Sequence, residues 1–300
     1  MLIKICNYMD KGKDESVDIF SISKKLHFES LVSHMDKLSA GEIVELRLKA
    51  EASGITTHSI EQQVEILSKF RRNNFTIYDF DLFEVGSGTF CLGSMLNHSC
   101  VPNAVLIYQK REMIVLALRD IKENEEIFIS YIDPINPYDS RCKMLDKYYF
   151  KCTCDKCNLK LYPKFNSPSG LEDHVTKGME ILDRYKKVSN NLETCLGFYA
   201  DFELYRSVSS ILLEELESAT NFGLCLGLIV VKVATLIIQY PKSHPLIGLE
   251  SLVGAKICWN CQQYPLGRKF LEIGNDCHSV YIDYHVNDEL VKLNNLYKDL

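Results

Sequence analysis

The sequence has no excess of positive charge. Its 34 Lys and Arg residues stand against 40 Asp and Glu, for a formal net charge of -6. No general basic field is available to hold a nucleic-acid backbone, which excludes a DNA or RNA binder of that kind and leaves sequence-specific nucleic-acid binding unexpected. Low-complexity tracts are missing too, so a disordered tail or a collagen-like fibre is excluded, and no fixed-length repeat announces a strict solenoid array. The opening stretch MLIKICNYMDKGKDES has only a short apolar run, interrupted by Lys4, and no small-residue cleavage site. It reads as lacking a secretory leader, and the chain is expected in the cytoplasm and nucleus. A small acidic surplus suits a soluble protein and tolerates a lysine-rich partner.

What is present is cysteine, twelve residues in 300. Without a secretory leader, clustered thiols point to metal rather than to disulfides. Three of them, Cys152, Cys154 and Cys157, form a C-x-C-x-x-C run that can wrap thiolates around one zinc. A tetrahedral structural site needs a fourth ligand, and Cys100 in NHSCVPN is the candidate. The later pair Cys258 and Cys261 is a lone C-x-x-C in a helical pattern, where packing is the expected role. Cys91, Cys142, Cys195, Cys225 and Cys277 are scattered and read as packing thiols.

From Ser21 to Phe70, apolar residues recur three and four apart, a helical layer interrupted near Gly54. Between Phe75 and Tyr131 the runs NFTIY, AVLIY, MIVLAL and EIFISY predict a small β unit punctuated by Gly86 and Gly88. A short helix through Arg141 to Lys147 follows, then the cysteine run, then YPKFNSPSG, a linker composition that puts a domain boundary near Pro168. The rest is helical in pattern. Within it, NFGLCLGLIVVKVATLIIQY could be taken for a membrane span, but Lys232 sits mid-run and the run is short for a bilayer. A buried core helix is expected, with no membrane association.

The segments EVGSGTFCLGSMLNHSCVPNA, EEIFISYID and YYFKCTCDKC, in that order, resemble the catalytic half of SET-domain protein-lysine methyltransferases. More narrowly the chain is similar to the SMYD family, the SET and MYND domain proteins. NNFTI, LVSHMDKL and SHPLIGLESLVGAK extend the likeness over nearly the whole chain. The resemblance implies an α+β protein organised as a helical insert region (1–74), a SET β core (75–134), a post-SET zinc-binding segment (135–167) and an all-α, tetratricopeptide-like C-terminal domain (168–300). It implies S-adenosylmethionine as cofactor, one structural zinc on Cys100, Cys152, Cys154 and Cys157, and transfer of a methyl group to a lysine of a histone or another protein. His34, Ser94, Asn97, His98, Tyr131 and Phe150 match cofactor contacts, and Tyr131 matches the catalytic tyrosine. Phe75 and Tyr148 match walls of the lysine channel, where aromatic rings exclude water and tolerate a methylammonium. The C-terminal bundle would offer a surface for a chaperone or other partner.

Two family features have no counterpart. No G-x-G turn precedes the helical layer, and only Cys6 precedes Cys91, so no MYND zinc pair can be built. The Gly86-Ser87-Gly88 turn follows the insert and matches a different family stretch. The expectation is a chain that starts inside the region after MYND, with an exposed sheet edge. That opens an alternative function, a catalytically impaired or truncated SET protein serving as a protein-interaction platform.

Overall fold

The computed structural model describes residues 28–110, 112–158, 171–185, 202–218 and 221–298. By its internal contacts the chain divides into two compact units. One comprises Met1–Asp79, Phe83–Asn97 and Asp146–Phe150; the other Phe80–Leu82, His98–Leu145 and Lys151–Leu300.

In the first unit, two helices start where serine caps dictate. Ser39 accepts from the Glu42 amide while the Glu42 carboxylate reaches back to the Ser39 N–H, which opens α1 (Ala40–Ala52). Ser59 and Gln62 repeat the device for α2 (Ile60–Asn73). This corrects the reading of LVSHMDKL as helix. Its apolar spacing is helical, but only single 3-10 turns form, at Phe28–Ser30 and Met35–Lys37, and His34 sits at φ 52° between them. The capping box at Ser39 sets a helix start downstream of the motif. Phe28, Leu31 and Ile66 form one small core, and Leu46, Ala50 and Val64 another.

Strands β1 (Asn74–Tyr78) and β2 (Glu84–Thr89) pair antiparallel, Phe75 opposite Gly88 and Thr76 opposite Ser87. Gly86, Ser87 and Gly88 therefore lie within a strand and not in a turn. A Cβ on Gly88 would come within 3.3 Å of the Phe90 ring and 3.4 Å of Ile77, so the missing side chain lets the strand lie close to its neighbours. Tyr78, Phe83 and Val85 are exposed on this hairpin.

The two-residue strands β3 (Asn97–His98), of which only His98 belongs to the second unit, and β6 (Phe128–Ile129) pair, and β4 (Ala104–Gln109) pairs with β5 (Glu112–Ala117) in a regular antiparallel register. The runs AVLIY and MIVLAL are thus strands, whereas EIFISY contributes only two strand residues. Asn103 explains the economy of this unit. Its buried side chain donates to the Glu126 carbonyl at 2.9 Å and to Glu125 Oε1 at 3.3 Å, and accepts the Phe128 amide at 2.8 Å. One amide therefore ties the start of β4 to the start of β6. Asn103→Ala leaves these partners unsatisfied and is expected to cost about 2–3 kcal/mol in a urea titration; a loss under about 0.5 kcal/mol would show that solvent replaces the contacts.

Helix α3 (Tyr138–Asp146) precedes the cysteine run, and the single turn α4 (Asp155–Asn158) contains its last cysteine, Cys157. The helical region follows as α5 (Leu171–Arg184), α6 (Phe202–Ser218), α7 (Phe222–Gln239), α8 (Pro245–Asn260), α9 (Tyr264–Ser279) and α10 (Asp288–Lys298). The linker YPKFNSPSG, the boundary near Pro168 and Cys195 lie outside the described residues. Among those residues α7 is long and apolar enough to cross a membrane, yet more than half of it is buried, packed by α5, α6 and α8. Lys232 pairs with Glu250 of α8 at 2.6 Å, which accounts for a lysine in so apolar a run. In SHPLIG, His244 caps α8 by accepting the Leu246 amide at 3.3 Å, and Pro245 takes the first helical position. Gly254 lets α8 and α9 close together, because a Cβ there would lie 2.8 Å from the Phe270 ring. Cys258 is buried and Trp259 packs edge-on to Tyr264 and Tyr297, the packing role expected of that C-x-x-C.

Candidate metal centre and catalytic strand end

The four cysteines singled out by spacing converge. Cys100, Cys152, Cys154 and Cys157 place their sulfurs within 4.8 Å of one another. Cys100 Sγ is 3.6 Å from Cys157 Sγ and 4.0 Å from Cys152 Sγ. Thiolates bound at about 2.3 Å to a tetrahedral metal stand about 3.8 Å apart, so the donor set fits such an ion with no fifth position to fill. Cys100 and Cys157 are buried. Without a cation, this packing resists more than one negative charge. Hydrogen bonds from Cys100 and Cys152 pull the Cys154 thiol down, while hydrogen bonding to Cys152 and Cys154, and then burial, push Cys100 up.

Local structure builds the cluster from both sides. Cys100 follows β3, and the backbone amides of Cys157 and Asn158 both donate to the Cys154 carbonyl at 2.9 Å, curling the loop into α4. Two residues that the sequence reading missed hold it. Arg141, buried on α3, donates to the Asn136 carbonyl at 2.6 Å and reaches Cys157 Sγ at 3.8 Å. Lys156 is buried too, its ammonium donating to the Pro134 carbonyl at 2.8 Å and to Gln239 Oε1 at 2.7 Å. Burial, with Arg141 adding to it, pulls Lys156 down to about 8. The signal for Lys156 was its place between two cysteines of the run; Gln239, at the end of α7, is too distant in sequence to pair with it by inspection.

The NHSC segment also lies beside the strand end that carries Tyr131. The Tyr131 backbone N–H donates to His98 Nδ1 at 2.9 Å, and the two rings are 5.3 Å apart between centroids. His98 Nε2 is 3.3 Å from Cys100 Sγ. Burial pulls the His98 imidazole down to about 4, with the Cys154 thiolate opposing and Arg141 assisting. Of the residues that the resemblance matches to cofactor and catalytic positions, His98 and Tyr131 therefore stand together, with Cys100 of the four-cysteine cluster beside His98.

The others belong to the first unit. Phe75 on β1 packs edge-on against Phe90 at 6.1 Å. Ser94 Oγ donates to the Phe90 carbonyl at 3.0 Å, and Asn97 is exposed at the start of β3. Tyr148 and Phe150 are half-buried on either side of Tyr149, which stands at φ 60°. Tyr149, absent from the sequence-based set, is the hub here. Its hydroxyl accepts from Arg72 Nη2 at 2.7 Å, and His34 meets its ring edge-on at 5.2 Å. Burial, then the Lys37 and Arg72 charges, pull His34 down, with Asp36 opposing. The only hint of this in the sequence was the position of Tyr149 between two matched aromatics.

A SET-domain family model matches residues 7–132. Histone-lysine N-methyltransferase ASHR1 of Arabidopsis thaliana is 32% identical over 175 residues, an alignment covering 57% of this chain and 34% of that protein. N-lysine methyltransferase SMYD2 of Gallus gallus is 30% identical over 195 residues, covering 57% of this chain and 45% of that protein. Histone-lysine N-methyltransferase SMYD3 of Mus musculus is 24% identical over 305 residues, covering 92% of this chain and 69% of that protein. The chain thus spans less than half the length of the first two relatives.

Proposed function

We propose that this chain, which is similar to the SMYD family of SET-domain proteins, transfers a methyl group from S-adenosylmethionine to the side-chain amine of a lysine in a histone or another protein. The observation that carries the reading is the meeting of NHSC and the Tyr131 strand end through the His98 hydrogen bond. Two motif segments far apart in sequence are built into one place, as a catalytic centre requires and a scaffold does not.

The bound cofactor supplies an electrophilic methyl on a sulfonium, and the chain's task is to hold the acceptor in line with it and keep water away. Asn97, Ser94, His34 and Phe150 are the proposed contacts to the cofactor, with the NHSC backbone at His98. Phe75 and Tyr148 are the proposed walls of the lysine channel. The Tyr131 hydroxyl orients the neutral amine by hydrogen bonding and steadies the charge that grows on nitrogen. Cys100, Cys152, Cys154 and Cys157 would hold one zinc, which stiffens the loop and takes no part in the transfer. The enzyme is proposed to act in the cytoplasm and nucleus.

Calorimetric titration of S-adenosylmethionine into the zinc-loaded chain tests the reading. Binding is expected in the micromolar range, about -8 kcal/mol, and is expected to vanish in Asn97→Ala. Absence of heat in protein shown to be folded and metal-loaded would reject it. A second reading, a non-catalytic interaction platform, draws support from Tyr78, Phe83 and Val85, exposed together on the β1–β2 hairpin; it predicts partner binding with no cofactor affinity.

A further inference from the structure

The His98 side chain has both ring nitrogens directed at groups of the protein itself. At Nδ1 the partner is the Tyr131 backbone N–H, 2.9 Å away, and a backbone amide can only donate. Nδ1 is therefore the unprotonated acceptor, and in the neutral imidazole the hydrogen sits on Nε2. Nε2 faces Cys100 Sγ at 3.3 Å, a distance suited to an N–H donor against sulfur. His98 is 7% exposed and Cys100 is fully buried, so water does not compete for either bond. The ring thus spans from a sulfur of the four-cysteine cluster to the backbone of the residue matched to catalysis. Ser99 adds a parallel tie, its amide donating to the Ile129 carbonyl at 3.0 Å two residues before Tyr131.

We infer that His98 is a positioning residue: its Nε2–H donates to the metal-bound Cys100 thiolate while its Nδ1 fixes the Tyr131 backbone, so that occupancy of the metal site sets the placement of Tyr131. The inference rests on the methyltransferase reading for its consequence in catalysis, but not for the link itself. A coordinated thiolate keeps partial negative charge and accepts an N–H donor, and such outer contacts orient ligands and hold their affinity. Loss of the metal removes the anchor at one end of the ring and frees the other. The side chain of His98 is thereby committed inside the protein, and the contact that the family resemblance gives this position toward the cofactor falls to its backbone. The same bonds explain why His98, in a strand that pairs with β6, and Cys100, just after that strand, occur two residues apart.

Two amide substitutions separate the ends of the link. In His98→Asn the side-chain oxygen can still take the Tyr131 N–H, but nothing reaches Cys100. In His98→Gln the side-chain amide can reach Cys100, but the Nδ1 acceptor is lost. Zinc affinity, read by competition with a chromophoric chelator, is expected to fall about ten-fold in His98→Asn and to stay within about two-fold of the parent in His98→Gln. Exchange of the Tyr131 amide, measured in the zinc-loaded full chain against the Leu118 amide as internal control, is expected to accelerate in His98→Gln and to hold in His98→Asn. The unsubstituted chain gives an independent check, since with an NMR-active cadmium isotope in place of zinc the His98 Nε2 hydrogen should correlate with the metal through the sulfur. No correlation, or equal effects of both variants on both readouts, would overturn the link. None of these measurements uses cofactor or substrate, so an intact link in a chain that transfers no methyl group would reject the enzyme reading alone.

Discussion

Tyr131→Phe is expected to lower methyl-transfer turnover at least about 100-fold, equivalent to about 2.7 kcal/mol of transition-state stabilisation, while stability stays near that of the parent. The change removes one oxygen. The backbone N–H that binds His98 Nδ1 is untouched, and the ring that lies 5.3 Å from the His98 ring keeps its shape. A half-buried side chain that loses only a hydroxyl costs about 1 kcal/mol or less in stability. In the proposed reaction the acceptor amine would instead be held by the remaining contacts, without the oxygen proposed to orient it as charge develops. A family relative that had kept its fold only as a binding surface would show no change in any activity on this substitution. Unchanged turnover in Tyr131→Phe would show that this tyrosine is a packing residue at a strand end and that the carry-over from the family fails at its most specific position.

Removing the metal is the second large effect expected. The four thiols are held within 4.8 Å of one another with no disulfide among them, a packing that suits a cation. Binding energies of structural zinc in small modules reach about 10 kcal/mol and act as folding energy. Chelation, or Cys157→Ser, is therefore expected to melt the turn from Cys152 to Asn158. The loss spreads because Lys156, inside that turn, donates to the Pro134 carbonyl and to Gln239 at the end of α7. Arg141 likewise loses its sulfur partner. A stability loss of several kcal/mol should lower the melting temperature by about 10 °C, at roughly 2–4 °C per kcal/mol for domains of 150–250 residues. Retention of one zinc per chain in Cys154→Ser, with an unchanged melt, would contradict the four-ligand assignment.

The features legible in the sequence are those whose physics is local or whose chemistry tolerates no substitute. Thiolate ligation needs cysteine at set spacing, so Cys152, Cys154 and Cys157 were readable as one site, and the loop between the ligands could run back to Cys100. The strands AVLIY and MIVLAL were readable because β-branched residues and a short turn favour a hairpin. LVSHMDKL was misread because periodicity says nothing of where a helix begins; the reciprocal Ser39–Glu42 bonds decide that, and they leave His34 in a left-handed turn. Gly86 and Gly88 read as punctuation, whereas both lie within a strand, crowded at Gly88 by Phe90 and Ile77. Arg141, Lys156 and Tyr149 were beyond reach for another reason. Each acts through a partner in a segment brought near only by the tertiary fold, as in Lys156 with Gln239 and Arg72 with Tyr149. No spacing rule pairs such positions. The four cysteines were thus legible as a set, while the contacts of His98 with Cys100 and with the Tyr131 backbone were not.

The central claim is methyl transfer by this chain, and its most direct measurement is mass spectrometry of lysine-containing histone and non-histone peptides incubated with the zinc-loaded protein and methyl-labelled S-adenosylmethionine. The account predicts labelled methyl groups on lysine nitrogen, lost in Tyr131→Phe and in chelated protein. Cofactor binding intact, metal bound and no label on any lysine would contradict it.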